Sequence, residues 1–162
     1  KMINPLKKTK EVYRQRNKFT EKELKELSIL FLVINNLDIF RRNIELISEV
    51  TLSSNSMMTF KQKLINYLVS EKFFDRKKLK LEDFEDEYRD IVNLININAP
   101  VKIIAKNKNK EEIILIFNEI VSEIKKIDLR KRIESLEDKV SLNLNEKLYS
   151  ELLSLRNQLK SR

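Results

Sequence analysis

SLNLNEKLYSELLSLRNQLK, residues Ser141–Lys160, decides how this chain is read. Leu148, Leu152, Leu155 and Leu159 recur at spacings of four, three and four, which places them on one face of an α-helix. Asn143 followed three residues later by Glu146 matches a capping box: the Asn oxygen accepts from an orphan backbone N–H and the Glu reaches back. Upstream, residues 111–140 carry a longer helical pattern. Its first half uses Ile113, Phe117, Ile120, Ile124 and Ile127, and its second half Leu129, Ile133, Leu136 and Val140. The phase jump between Ile127 and Leu129 rotates the apolar face, so the first half is expected to face a bundle and the second half the last helix. Joined at Ser141–Leu142–Asn143, the two helices should fold back as an antiparallel hairpin. Leu136, Val140, Leu148, Leu152, Leu155 and Leu159 would seal it.

Working toward the N-terminus, the remaining elements also read as helices. Thr20 and Glu23 make a capping box ahead of the apolar run Leu24–Leu37. Apolar residues fill nearly every side of that run, as suits a helix in the middle of a bundle. Asn35–Asn36 is a stop. One or two short helices follow over 38–50, with Phe40, Ile44, Ile47 and Val50 inward. A cap at Ser53, Ser54 or Asn55 then opens a helix over 56–72, which buries Met57, Phe60, Leu64 and Tyr67 or Leu68. Residues 73–80 read as a basic connection or a short helix. An amphipathic helix over 81–95 aligns Phe84, Tyr88, Ile91 and Ile95. Pro100 disfavours helix at Ala99, and 101–105 is too short to assign between a strand stub and irregular chain. The expected organisation is therefore all-α: a basic segment over 1–18, a helical bundle over 19–110, and a connecting helix with a C-terminal antiparallel hairpin over 111–162.

Composition narrows the chemistry. The 162 residues include no Gly, Cys or His and only two Pro. Without Gly there is no Gly-rich phosphate loop, and without Cys or His there is no disulfide, no Cys/His zinc site and no Ser–His–Asp triad. Scarce Gly and Pro favour long helices. The hydrophobic fraction of 41% fits a folded chain despite 36% charged residues. No apolar run approaches the roughly 18 residues of a membrane span, so no membrane association is expected. KMINPLKK at the start lacks the apolar core of a signal peptide, which makes the cytoplasm the expected location. Lys1 rather than Met opens the chain, as in a piece of something longer.

The net charge is +8, unevenly spread. Residues 1–18 hold seven of the 33 basic residues and one of the 25 acidic ones, leaving 26 and 24 for the rest. Basicity thus belongs mainly to Lys1–Lys18, which could meet nucleic acid through phosphates or serve as a solvated connector. Elsewhere, Glu82, Asp83, Glu85, Asp86 and Glu87 cluster at a helix start, where the macrodipole favours negative charge. They read as structural rather than as a metal or acid–base site. Arg41–Arg42, Arg76–Lys77–Lys78 and Arg130–Lys131–Arg132 read as solvated faces matched by nearby acids. Tyr149, beside the leucine stripe, is placed either to pack at the core edge or to meet a partner. No cofactor is expected.

Two segments together carry a resemblance. ELSILFLVINNLDIF (Glu26–Phe40) and EIVSEIKKIDLRKRIESLEDKVSLNLNEKLYSELLSLRNQLK (Glu119–Lys160) resemble the beginning and end of the C-terminal, helicase-binding domain of bacterial DNA primases of the DnaG type. In that family a leucine-rich helix runs into an Asn-Pro-Glu-Leu-like turn, and a long charged helix precedes a final leucine-striped one. The likeness covers about residues 19–160 and departs from the pattern at Leu37, where the family often has Pro. It implies a two-part helical domain without catalytic activity. Such a domain docks on the N-terminal domains of the hexameric DnaB-type replicative helicase and so tethers and stimulates primer synthesis at the fork. The primase's zinc-binding and polymerase domains would lie outside this chain, with Lys1–Lys18 as the linker from the latter. By the same resemblance the hairpin holds the helicase contacts, and Glu146 (as cap), Tyr149, Arg156, Asn157 and Lys160 are the candidates. Two other readings stay open: a basic helical nucleic-acid-binding domain, and the N-terminal domain of the helicase itself, which likewise pairs a bundle with a hairpin.

Overall fold

The structure, a computed structural model, describes residues 19–143 and 145–161. The expected basic segment 1–18 lies outside the described residues. The fold is all-α: eight α-helices and two 3₁₀ turns, with no strand among the described residues. The helices are α1 (Glu21–Asn35), α2 (Leu37–Arg42), α3 (Ile44–Ser48), α4 (Asn55–Val69), α5 (Asp86–Asn98), α6 (Val101–Ile104), α7 (Lys110–Leu142) and α8 (Glu146–Lys160). The chain divides into two compact units, one up to Ile120 and one from Val121. The division falls inside α7, ten residues beyond the boundary expected at its start.

In the first unit α1 is the central element. Thr20 and Glu23 close a full capping box: the Thr20 N–H donates to the Glu23 carboxylate at 2.7 Å and the Glu23 N–H to the Thr20 hydroxyl at 3.3 Å. Leu27, Ile29, Leu30, Leu32, Val33 and Ile34 are all buried, which accounts for a helix apolar on every side. Helices α2, α4, α5 and α6 pack around it. Phe117 from the opening of α7 meets Phe40 of α2 with ring centroids 4.9 Å apart. A second aromatic group joins Phe60 and Tyr67 of α4 to Phe84 and Phe73, with centroids 4.9–5.6 Å apart.

Three charged side chains act as internal fasteners. Glu26 is fully buried and accepts from the Ser53 N–H and hydroxyl at 2.9 and 2.7 Å, fixing the turn that leads into α4. The buried Lys61 ammonium donates to the carbonyls of Ser48 and Val50 at 3.0 and 2.8 Å, capping the end of α3. Its burial lowers its pKa from the ordinary value. Arg41 donates to the carbonyls of Leu68, Phe73 and Phe74 at 2.9, 2.7 and 2.7 Å. It is therefore not the solvated side chain that the Arg41–Arg42 pair suggests; its planar fork ties one carbonyl at the end of α4 to two at the 3₁₀ turn that follows.

Several sequence expectations need correction. Helix α5 begins at Asp86 rather than 81, because Leu81–Asp83 form a 3₁₀ turn. Asp83 holds that turn by accepting from the Lys80 N–H at 2.7 Å and pairing with Arg76. The buried stripe of α5 is accordingly Val92 and Ile95, while Tyr88 and Ile91 are half-buried. Residues 101–104 are one turn of α-helix, closed by the Ala105 N–H on the Val101 carbonyl at 2.8 Å. The following turn carries Asn107 with φ of 62°, the left-handed region that Asn tolerates better than most residues. Helix α7 then starts from a reciprocal Asn109–Glu112 cap, with both N–H donations at 2.9 Å.

Candidate partner-binding face of the terminal helix

The cap of α8 sits two residues later than the sequence pattern suggests. The Asn143 N–H still donates to the Lys139 carbonyl at 3.0 Å, and the Ser141 hydroxyl donates to the Asp138 carbonyl at 2.7 Å, so Ser141 and Leu142 stay in α7. Asn145 has the extended backbone a cap needs, and its side chain accepts from the Lys147 N–H at 2.9 Å. Glu146 is thus the first residue of the helix rather than the back-reaching member of an Asn143 box. The connection between the helices runs over 143–145 instead of 141–143.

Within the second unit, Ile133 and Leu136 of α7 and Leu152 and Leu155 of α8 form one buried cluster, with Leu129, Val140, Leu148 and Leu159 packed against it. All six residues expected in the seam belong to it, and Leu129 and Ile133 complete it. Two ion pairs join the same helices. Arg132 pairs with Glu151 at 2.5 Å, and Arg156 with Glu137 at 2.5 Å. At about 100° per residue, Arg156 and Glu151 lie on opposite sides of the α8 leucine stripe, and Glu137 and Arg132 on opposite sides of the α7 stripe. Charge therefore lines both edges of the apolar seam, and the long arginine stems cover it.

The same angular bookkeeping locates the candidate contacts. Glu146, Tyr149, Arg156, Asn157 and Lys160 fall within an arc roughly 100° wide whose centre is about 120° from that of the leucine stripe. All five are exposed. Arg156 is the one nearest the seam and is occupied by Glu137, so its first role is to brace the two helices. Asn157 accepts the Ser161 N–H at 3.1 Å on its backbone carbonyl, closing the helix, and its side chain remains outward. Tyr149 is 49% exposed, which settles its placement away from the cluster. Leu153 lies in the same arc, one turn beyond Tyr149, and is 41% exposed. The sequence reading missed it, because a fifth leucine among the striped four looks like part of the stripe. Its i+4 relation to Tyr149, out of phase with Leu152, was the available signal.

The acidic cluster resolves into local structure. Glu85 pairs with Lys63 at 2.5 Å, and Asp86 with Arg89 at 2.8 Å. Among the described residues no group of three or more His, Cys, Asp or Glu could hold a metal ion, and no helix is long and apolar enough to cross a membrane. Compared with protein-family models, curated proteins and solved structures, the chain matches none.

Proposed function

We propose that this chain is a non-catalytic docking module, the C-terminal helicase-binding domain of a DnaG-type primase, and that it engages a DnaB-type replicative helicase through the outer arc of α8. What carries the proposal is the exposed Tyr149–Leu153 pair, followed along the same arc by Asn157 and Lys160. A helix whose leucines are already covered has no structural need for a second apolar strip in solvent. An exposed tyrosine is among the side chains enriched at interface centres.

The second unit supports the hairpin on which this reading depends. Val140 and Leu148, Leu136 and Leu152, Ile133 and Leu155, and Leu129 and Leu159 stand 4, 8, 11 and 15 residues either side of position 144. Antiparallel helices joined at that point would bring each of these pairs face to face, and all eight residues share the one cluster. The primase assignment adds the order of elements, a leucine-rich helix first and a charged helix with a leucine-striped helix last.

A pull-down against the cognate helicase tests the proposal. The full chain should retain helicase, a chain ending at Lys139 should not, and Tyr149→Ala with Leu153→Ala should weaken retention by tenfold or more with helicity intact. Unchanged retention by the shortened chain would reject the assignment.

A further inference from the structure

The connection between α4 and α5 brings five cations, Lys72, Arg76, Lys77, Lys78 and Lys80, and one acid, Asp75, within nine residues. Its backbone is pinned to the core. The Leu37 N–H donates to the Lys77 carbonyl at 2.7 Å, and the Leu79 N–H to the Ile34 carbonyl at 2.9 Å. Lys78 stands between those two tethers, and the Leu79 side chain is buried beneath it. Asp83 closes the other side through the Lys80 N–H and the Arg76 guanidinium. Lys77, Lys78 and Lys80 are nevertheless exposed and form no ion pair with a described residue. With Arg76 they line a shallow cleft of about 330 Å³. Glu82 and Asp83 also line it, and Arg76 answers the Asp83 charge.

Beside this cleft the same connection presents Phe74, 66% exposed. The Arg41 guanidinium lies 5.2 Å from the ring centroid. That guanidinium cannot swing away, because three backbone carbonyls hold it, one of them Phe74's own. The ring is therefore braced on a fixed cation while most of it faces water.

Exposed lysines on a tethered backbone, with a braced, exposed aromatic in the same connection, combine the two elements of single-strand recognition: charge that neutralises phosphates and a platform on which an unstacked base can lie. We infer that residues 74–80 bind single-stranded nucleic acid, with Lys77, Lys78 and Lys80 on the phosphates and Phe74 stacked on a base. A duplex would use the lysines but offer the ring nothing to stack on, and an acidic protein would likewise leave Phe74 without a role. The site is on the first unit and stands independently of the helicase reading, so either can fail alone.

Fluorescence anisotropy of the full chain with a labelled oligothymidine of about 12 nucleotides, within the span of one such site, tests the inference across salt concentrations. Lys77→Glu with Lys78→Glu should weaken binding at least tenfold and reduce the slope of log K against log salt by about 1.4, two phosphate contacts' worth for a single strand. Phe74→Ala should weaken binding about tenfold with the slope unchanged, and Phe74→Tyr should restore it. Lys7→Glu with Lys8→Glu makes the same charge change elsewhere and should cost clearly less. Thermal melts by circular dichroism confirm that each variant folds. No binding at low salt, equal losses in the two lysine pairs, or an inert Phe74→Ala would each overturn the inference. So would a duplex that binds as tightly, or displacement by polyglutamate as effective as by unlabelled oligonucleotide; the latter would assign the patch to an acidic protein.

Discussion

Leu152→Ala should loosen the second unit far more than its neighbour Leu153→Ala. Leu152 is 3% exposed in the centre of the seam, and Leu153 is 41% exposed on the outer arc. Truncating a buried leucine costs about 2–5 kcal/mol, from lost transfer energy plus the cavity left behind. The seam rests on only eight apolar residues from two helices, so it can partly collapse around the gap. That places the expected cost near the lower end, about 2–3 kcal/mol. Converted at about 1.4 kcal/mol per decade, this is a roughly 30- to 150-fold loss of amide protection. Leu153→Ala removes little buried surface and gains helix propensity, so its effect should stay within about 0.5 kcal/mol. Native-state hydrogen exchange of the amides from Tyr149 to Leu159 measures both. Equal protection in the two variants would refute the assignment of inner and outer faces.

Arg41→Lys should destabilise the first unit by about 1–2 kcal/mol in thermal or urea unfolding, because an ammonium cannot reach three carbonyls at once and leaves part-buried acceptors unmet. Glu112 has a carboxyl pKa lowered from 4.5, first by the Lys108 side chain and then by the Asn109 N–H. Its contribution should therefore be complete above the unfolded pKa and lost as pH falls through the lower folded value. The stability gap between the native chain and Glu112→Gln should close on acidification. Lys61 shifts stability in the same direction, in a more alkaline window and from a different cause. Its pKa is lowered from 10.5 by burial, so the unfolded chain holds the proton over the window below 10.5. The stability of the native chain relative to Lys61→Met should rise with pH across that window, and a flat difference would contradict the buried placement.

Much of the architecture was legible because it rests on local chemistry. The Thr20–Glu23 box, the all-round apolar α1 and the four-leucine stripe each involve residues within a turn or two of one another. What the pattern missed depends on longer reach. Arg41 looked like half of a solvated pair because its carbonyl partners lie 27–33 residues away. The start of α5 was misplaced because Asp83 is captured by Arg76 and the Lys80 N–H, which converts a helical first turn into a 3₁₀ one. At the α7–α8 junction Asn143 and Asn145 are equivalent caps by residue type. The choice between them is made by how far α7 runs, and nothing in the sequence stops it before Leu142. The Asn109–Glu112 cap lies at the end of a polar run, 106–110, that has no apolar period to mark where a helix starts. Along α8, Leu152 and Leu155 are buried and the candidate residues are exposed, and only the geometry reveals that Arg156 is already engaged by Glu137.

The lack of glycine also bears on the chain before it folds. At average composition roughly 11 glycines would be expected in this length, and each replacement by a residue with a Cβ narrows the denatured ensemble by about 0.4–1 kcal/mol. Collectively the disordered chain begins several kcal/mol less free than an ordinary one, a bias that requires no native contact. The cost of the arrangement gathers at Asn107, where a left-handed turn must be made without the residue best suited to it. That position is where a glycine would be most readily accepted and a β-branched side chain most firmly refused.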